Sequence, residues 1–178
     1  MKLTTTFNLL KLAGACGQKV GCGEGYDKLA QFLGGTSIYG KDTEINILTI
    51  LESNGLDDAV WALEATKEES DKTRCLIACD FAESVLHIFE SKRPNDDRPR
   101  KAIEAARKFA NGEISESELI IPRRNSNVAA FAYGDAAAFS AAYAASNASY
   151  SAASYAAEAL KNSGTEKLTA ILKSHLQG

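Results

Sequence analysis

From Glu69 to Ser91 apolar residues fall at Cys75, Ala78, Cys79, Ala82, Val85, Leu86 and Phe89, recurring every three or four positions. That rhythm lays one apolar stripe along a helix, and it predicts the best amphipathic helix of the chain. Pro94 forbids its continuation. Asp97 then predicts an N-cap, with Pro99 in the first turn of a helix that buries Ile103, Ala106 and Phe109 or Ala110. Asn111-Gly112 closes it. The N-terminal third predicts shorter pieces. Thr4 to Ala15 reads as a short helix carrying Phe7, Leu10 and Leu12, followed by a loop with Gly14, Gly17, Gly21, Gly23 and Gly25. Tyr26 to Leu33 is a short amphipathic helix stopped by Gly34-Gly35. Asp42 can cap a helix through Ile45, Leu48 and Leu51, ended by Asn54-Gly55, and Leu56 to Ala65 resumes with Trp61 as core.

Ser115 and Glu118 form a capping-box pattern for one short turn, and Pro122 starts the approach to a long helix. Asn162-Ser163-Gly164 ends that helix, and Thr165 caps a final one through Leu168, Ile171, Leu172 and Leu176. No run alternates long enough to predict a strand. The expected fold is an all-α, multi-helix bundle of seven to nine helices. Residues 1–122 would form a helical domain. Residues 123–178 would add a long alanine-rich helix and a C-terminal helix, packed on the first part as one domain.

The long helix is expected from Val128 to Leu160, where sixteen of 33 residues are alanine and only Asp135 and Glu158 are charged. Alanine is the best helix former, and no proline interrupts the run. The small residues Ala130, Gly134, Ala137, Ala141, Ala145, Ala148, Ala152 and Ala156 step by 4, 3, 4, 4, 3, 4, 4. Ala130, Ala141 and Ala152 are eleven apart, so one face stays aligned with little supercoil. Two readings stand side by side. The seam takes another helix in a homo-oligomer or from a bacterial host protein, with Ala137, Ala141, Tyr143, Ala145, Ala148, Tyr150 and Ala152 as its contacts. Alternatively it packs on the chain's own helices.

Composition is ordinary for a globular chain, at 45% hydrophobic and 24% charged residues. A net charge of -3 argues against general nucleic-acid binding, which needs a basic face for phosphates. Four cysteines in 178 residues make no disulfide scaffold and suggest a reducing, cytoplasmic setting. Leu12-Ala13-Gly14-Ala15-Cys16 looks like a lipoprotein cleavage box, but Lys11 and the Thr4-Thr5-Thr6 run break the apolar region a signal requires. No stretch predicts a membrane span.

Three blocks together resemble a known group. They are Ile50-Leu51-Glu52-Ser53-Asn54-Gly55-Leu56-Asp57-Asp58-Ala59-Val60-Trp61-Ala62-Leu63, then Ala78-Cys79-Asp80-Phe81-Ala82-Glu83 with His87 and Phe89, then Asp96-Asp97-Arg98-Pro99-Arg100-Lys101-Ala102-Ile103-Glu104-Ala105-Ala106-Arg107. They resemble uncharacterised proteins of tailed bacteriophages and prophages related to the Imm-5-like immunity domain. Such proteins often carry alanine-aromatic tails after these blocks. Trp, Arg and Asp are frequent in those tails, whereas Tyr, Phe and Ser stand here. The resemblance implies an interaction protein, a toxin inhibitor or a factor against host defence, and no established chemistry.

Candidate chemistry is sparse. Arg98, Arg100 and Lys101 open a helix and could grip a nucleotide or other anion. The competing reading has Asp97 capping and the arginines paired with Glu83, Glu90 or Glu104. Cys75, Cys79, Glu83 and His87 follow at steps of four, but such ligands rise too far along one helix to converge on one ion, and Cys16 and Cys22 add no strong zinc spacing. Gly21 to Gly25 lacks the strand and the Gly-Lys-Ser/Thr ending of a phosphate loop. Neither histidine has a partner set for nucleophilic catalysis. The expectation is a non-enzymatic, cofactor-free phage or prophage protein that binds and blocks a bacterial protein in the cytoplasm, with anion sequestration as the alternative.

Overall fold

The computed structural model describes residues 2–14, 24–131 and 164–177. Helix dominates: among the described residues there are nine α-helices, and extended pairing is confined to one two-residue ladder. The chain divides into two compact units. Unit 1 comprises residues 1–70 and 173–178, and unit 2 comprises residues 71–172. No helix among the described residues is long and apolar enough to cross a membrane.

Unit 1 opens with β1 (Thr4–Thr5), antiparallel to β2 (Ile45–Asn46), with Thr4 opposite Asn46. The expected helix from Thr4 is therefore shorter. It is α1 (Phe7–Leu12), and Thr6 caps it by accepting the Leu9 N–H at 3.1 Å. β-branched threonines favour extended backbone, and the hydroxyl of Thr6 competes for the first free amide. α2 (Glu24–Phe32) stops before Gly34-Gly35 as expected, and a one-turn helix that the sequence pattern did not announce, α3 (Thr36–Tyr39), follows. α4 (Ile47–Asn54) starts later than Asp42 suggested, because Asn46 accepts the Leu48 N–H at 2.8 Å and Ile45 stays in the ladder. Asp42 instead accepts from the Asn8 side chain at 2.7 Å. α5 (Leu56–Ala62) runs into a 3-10 turn, Leu63–Ala65. Leu3, Phe7, Leu29, Ile45, Ile47 and Leu63 are the fully buried large side chains here, and Phe7 meets Tyr26 and Tyr39 edge to face. Trp61 corrects the expectation: it is 36% exposed, because Leu56, Ala59, Ala62 and Leu63 supply the inward face.

The β1 strand is pinned by one carboxylate. Glu68 accepts from the Thr4 N–H and the Thr4 hydroxyl, both at 2.8 Å. Partial burial raises its pKa, but the hydrogen bonds from Thr4 outweigh burial and hold it below the ordinary 4.5. A depressed carboxylate contributes stability above its unfolded pKa and loses it as pH falls through the folded value. Acidification below about pH 4.5 should therefore loosen unit 1 in wild type. Glu68→Gln should lower the melting temperature at neutral pH and flatten its acid dependence, followed by Trp61 fluorescence. Equal acid slopes in both proteins would reject this role.

Unit 2 is built on α6 (Asp71–Lys92), α7 (Arg98–Ala110) and α8 (Glu116–Phe131). Every residue of the predicted α6 stripe is buried, and Ile77 and Phe81 are buried beside it. The inward arc of α6 thus exceeds one stripe, which suits a helix packed on more than one side. On α7, Ile103 and Ala106 are buried as expected, whereas Phe109 and Ala110 are only half-buried. Asp97 occupies the cap position without a side-chain cap bond; the neighbouring Asp96 accepts the Arg98 N–H at 3.3 Å. The capping box does form, with Glu118 accepting the Ser115 N–H at 2.8 Å. It starts more than one turn. α8 continues through Pro122, so Pro122 lies inside a helix rather than before one. The proline removes one amide donor and disfavours the helix there, but capping and a buried face of Leu119, Ser126, Ala129 and Ala130 sustain it. The boundary expected after residue 122 falls within α8.

Val128 to Phe131 of the expected alanine-rich helix belong to α8. The remainder of that segment, with its proposed contacts Ala137, Ala141, Tyr143, Ala145, Ala148, Tyr150 and Ala152, lies outside the described residues. α9 (Gly164–Gln177) follows, with Leu168 and Leu172 fully buried and the Lys167 ammonium donating to the Ser84 carbonyl at 2.9 Å.

Candidate functional site

Two surfaces of unit 2 concentrate the side chains that could recognise another molecule. The first is the start of α7 and its seam with α6. Here the basic residues singled out from sequence are each held by a carboxylate. Arg98 makes a two-pronged pair with Asp96 at 2.8 and 2.6 Å, and Arg100 does the same with Glu90 at 2.7 and 2.8 Å. The Lys101 ammonium lies 2.8 Å from Asp97, which raises the Lys101 pKa, first through the hydrogen bond. Further along, Arg107 bridges Asp80 and Glu83.

Bidentate guanidinium–carboxylate pairs are among the stronger polar contacts, and an anion would have to displace them. An open hollow of about 620 Å³ does adjoin Arg98, lined also by Lys92, Arg93, Asp96 and Asp97. Its walls carry both signs of charge. The arrangement therefore departs from the expected anion cradle of Arg98, Arg100 and Lys101; of the competing pairings only Arg100 on Glu90 is present, while Arg98 takes Asp96 and Glu83 is held by Arg107.

The step-of-four line Cys75, Cys79, Glu83 and His87 runs from core to solvent. Four residues overshoot a turn by roughly 40°, so each step rotates away from the last. Cys75 and Cys79 are buried, donating to the α7 carbonyls of Ala106 at 3.4 Å and Ile103 at 3.9 Å, while Glu83 and His87 are exposed. A hydrogen bond shared with Cys75, then burial, pushes the Cys79 thiol far above its ordinary range. These thiols are packing groups. Among the described residues no group of three or more His, Cys, Asp or Glu side chains is placed to hold a metal ion; Cys16 and Cys22 lie outside them.

The second surface is the outer face of α8. Ile121, Arg124, Val128 and Phe131 follow at steps of 3, 4 and 3, the spacing of a single helical stripe. Ile121 is 64% exposed, Val128 54% and Phe131 71%, and Ile120 beside them is 46% exposed. Arg124, Asn127, Val128 and Phe131 line an open hollow of about 470 Å³. Scattered surface apolar residues need no explanation, whereas here three of them share one helical stripe with Arg124. The 3, 4, 3 spacing is present in the sequence, but an approach segment starting at Pro122 leaves no helix there to carry it. Ala130, the first residue of the small-residue seam, points the other way and is fully buried.

No curated protein and no solved structure matches the chain. Residues 64–177, a span that holds α6 to α9 and both surfaces, match the family model of the Imm-5 like putative immunity proteins, and the chain belongs to that family.

Proposed function

We propose that this chain is an immunity-type inhibitor, a non-enzymatic protein of phage or prophage origin that binds one bacterial protein in the cytoplasm and blocks it. The observation that carries the reading is the apolar stripe of α8, exposed within the family-matching span. An inhibitor needs a stable scaffold with a face left open, and needs no catalytic group of its own. The buried thiols and carboxylate-held arginines suit scaffold roles. The partner is a host protein or toxin, with self-association as the competing use of the same face.

The test is co-purification of the tagged chain from bacterial cells, with mass spectrometry of proteins and small molecules, then titration of the purified partner. A stoichiometric protein whose activity falls to a plateau at one equivalent is the expected result. A stoichiometric nucleotide or other small anion with no protein partner would replace this reading by sequestration.

A further inference from the structure

All seven arginines of the chain are among the described residues. Arg74, Arg98, Arg100 and Arg107 sit on carboxylates, Arg93 donates to the Lys92 carbonyl, and Arg123 is engaged as well. Arg124 stands apart, with no hydrogen-bond or ion-pair partner among the described residues. It is also the charged member of the exposed α8 stripe, between Ile121 and Val128. Four of the other six guanidinium groups sit on carboxylates and the remaining two are engaged, so one without a partner inside an apolar stripe is a specific departure. Arginine flanked by apolar side chains is a common anchor of protein interfaces, where it carries binding energy once a partner carboxylate desolvates with it.

We propose that the Ile121–Arg124–Val128 stripe is the recognition surface for a partner protein segment that presents a carboxylate flanked by apolar side chains. The proposal rests on the inhibitor reading and adds the face used and the chemistry of the partner. Charge complementarity chooses this occupant. A purely apolar segment would leave the guanidinium buried without a counter-charge, and a basic one would repel it. A second copy of this stripe would set Arg124 facing apolar or cationic groups.

The probe is a library of random helix-forming peptides displayed on phage, selected against the full-length chain and in parallel against Arg124→Glu. Arg124 is exposed, so the variant should keep the circular dichroism and melting temperature of wild type; Val128→Glu, at a position that is also exposed, serves as an independent block. Peptides enriched on wild type should carry Asp or Glu with apolar residues three or four positions away. Their affinity should fall at least about tenfold on Arg124→Glu and on Val128→Glu, and weaken with added salt. Changing the selected acid to Lys should restore binding to Arg124→Glu. Equal enrichment on wild type and both variants, selection of sequences lacking an acid, or no enrichment on wild type would overturn the proposal. So would a concentration-dependent dimer, seen by light scattering, that Arg124→Glu dissociates. Any of these results leaves the inhibitor reading standing if co-purification still yields a blocked partner, and then the binding face lies elsewhere.

Discussion

Phe89→Ala is expected to destabilise unit 2 by about 3–5 kcal/mol, the range for deleting a buried phenylalanine ring. Phe89 is 0% exposed, at the end of the α6 stripe. Removing the ring forfeits its transfer free energy and leaves a cavity that buried neighbours fill only in part. Domains have total stabilities of about 5–15 kcal/mol, so this one change removes a large share. Urea unfolding followed by far-ultraviolet circular dichroism would measure it. Phe131→Ala is the control: that ring is 71% exposed, and its loss should stay within about 0.5 kcal/mol. Equal losses at the two positions would contradict the assignment of core and surface.

Gly55→Ala should produce the next largest loss, about 1–3 kcal/mol, and it should act on unit 1. Gly55 joins α4 to α5 with φ 102° and ψ -173°, a backbone region open almost only to glycine. Its N–H closes α4 on the Leu51 carbonyl at 3.1 Å, and its carbonyl accepts the Ala59 N–H of α5 at 3.2 Å. Nothing stands within 4 Å of where a Cβ would lie, so the effect isolates backbone strain from crowding. Chemical denaturation followed by Trp61 fluorescence reads it locally. A variant as stable as wild type would show that the joint relaxes to a conformation open to alanine.

The sequence was most informative where one periodic pattern was long. The α6 stripe, the breaks at Pro94, Asn54-Gly55 and Asn111-Gly112, and the Ser115–Glu118 box all occur as expected. It was least informative where equivalent groups competed. Asp96 and Asp97 both offer a capping carboxylate, and only geometry decides that Asp96 takes the Arg98 amide while Asp97 pairs with Lys101. Thr4-Thr5 has no apolar alternation to announce a strand, because its ladder partner, Ile45–Asn46, is forty residues away in a segment that read as helix. Pro122 reads as the start of an approach to the long helix, whereas it lies inside α8, whose length and outer stripe that reading does not announce. The family match begins at residue 64, so two of the three resembling blocks, at 78–83 and 96–107, lie inside it and the block at 50–63 precedes it.

The two thiols of α6 provide a clock for the opening of unit 2. Cys75 and Cys79 lie under α7, each against one of its carbonyls, so a thiol reagent reaches them only when α6 and α7 part. When reclosing outpaces the chemistry, the modification rate in the absence of denaturant reports the population of that opened state, a quantity set by local rather than global unfolding. Mass-resolved labelling at these two positions would then show whether a bound partner slows the parting of α6 from α7. A partner that holds only the outer face of α8 and never grips the α6–α7 seam would leave the clock running at its original pace.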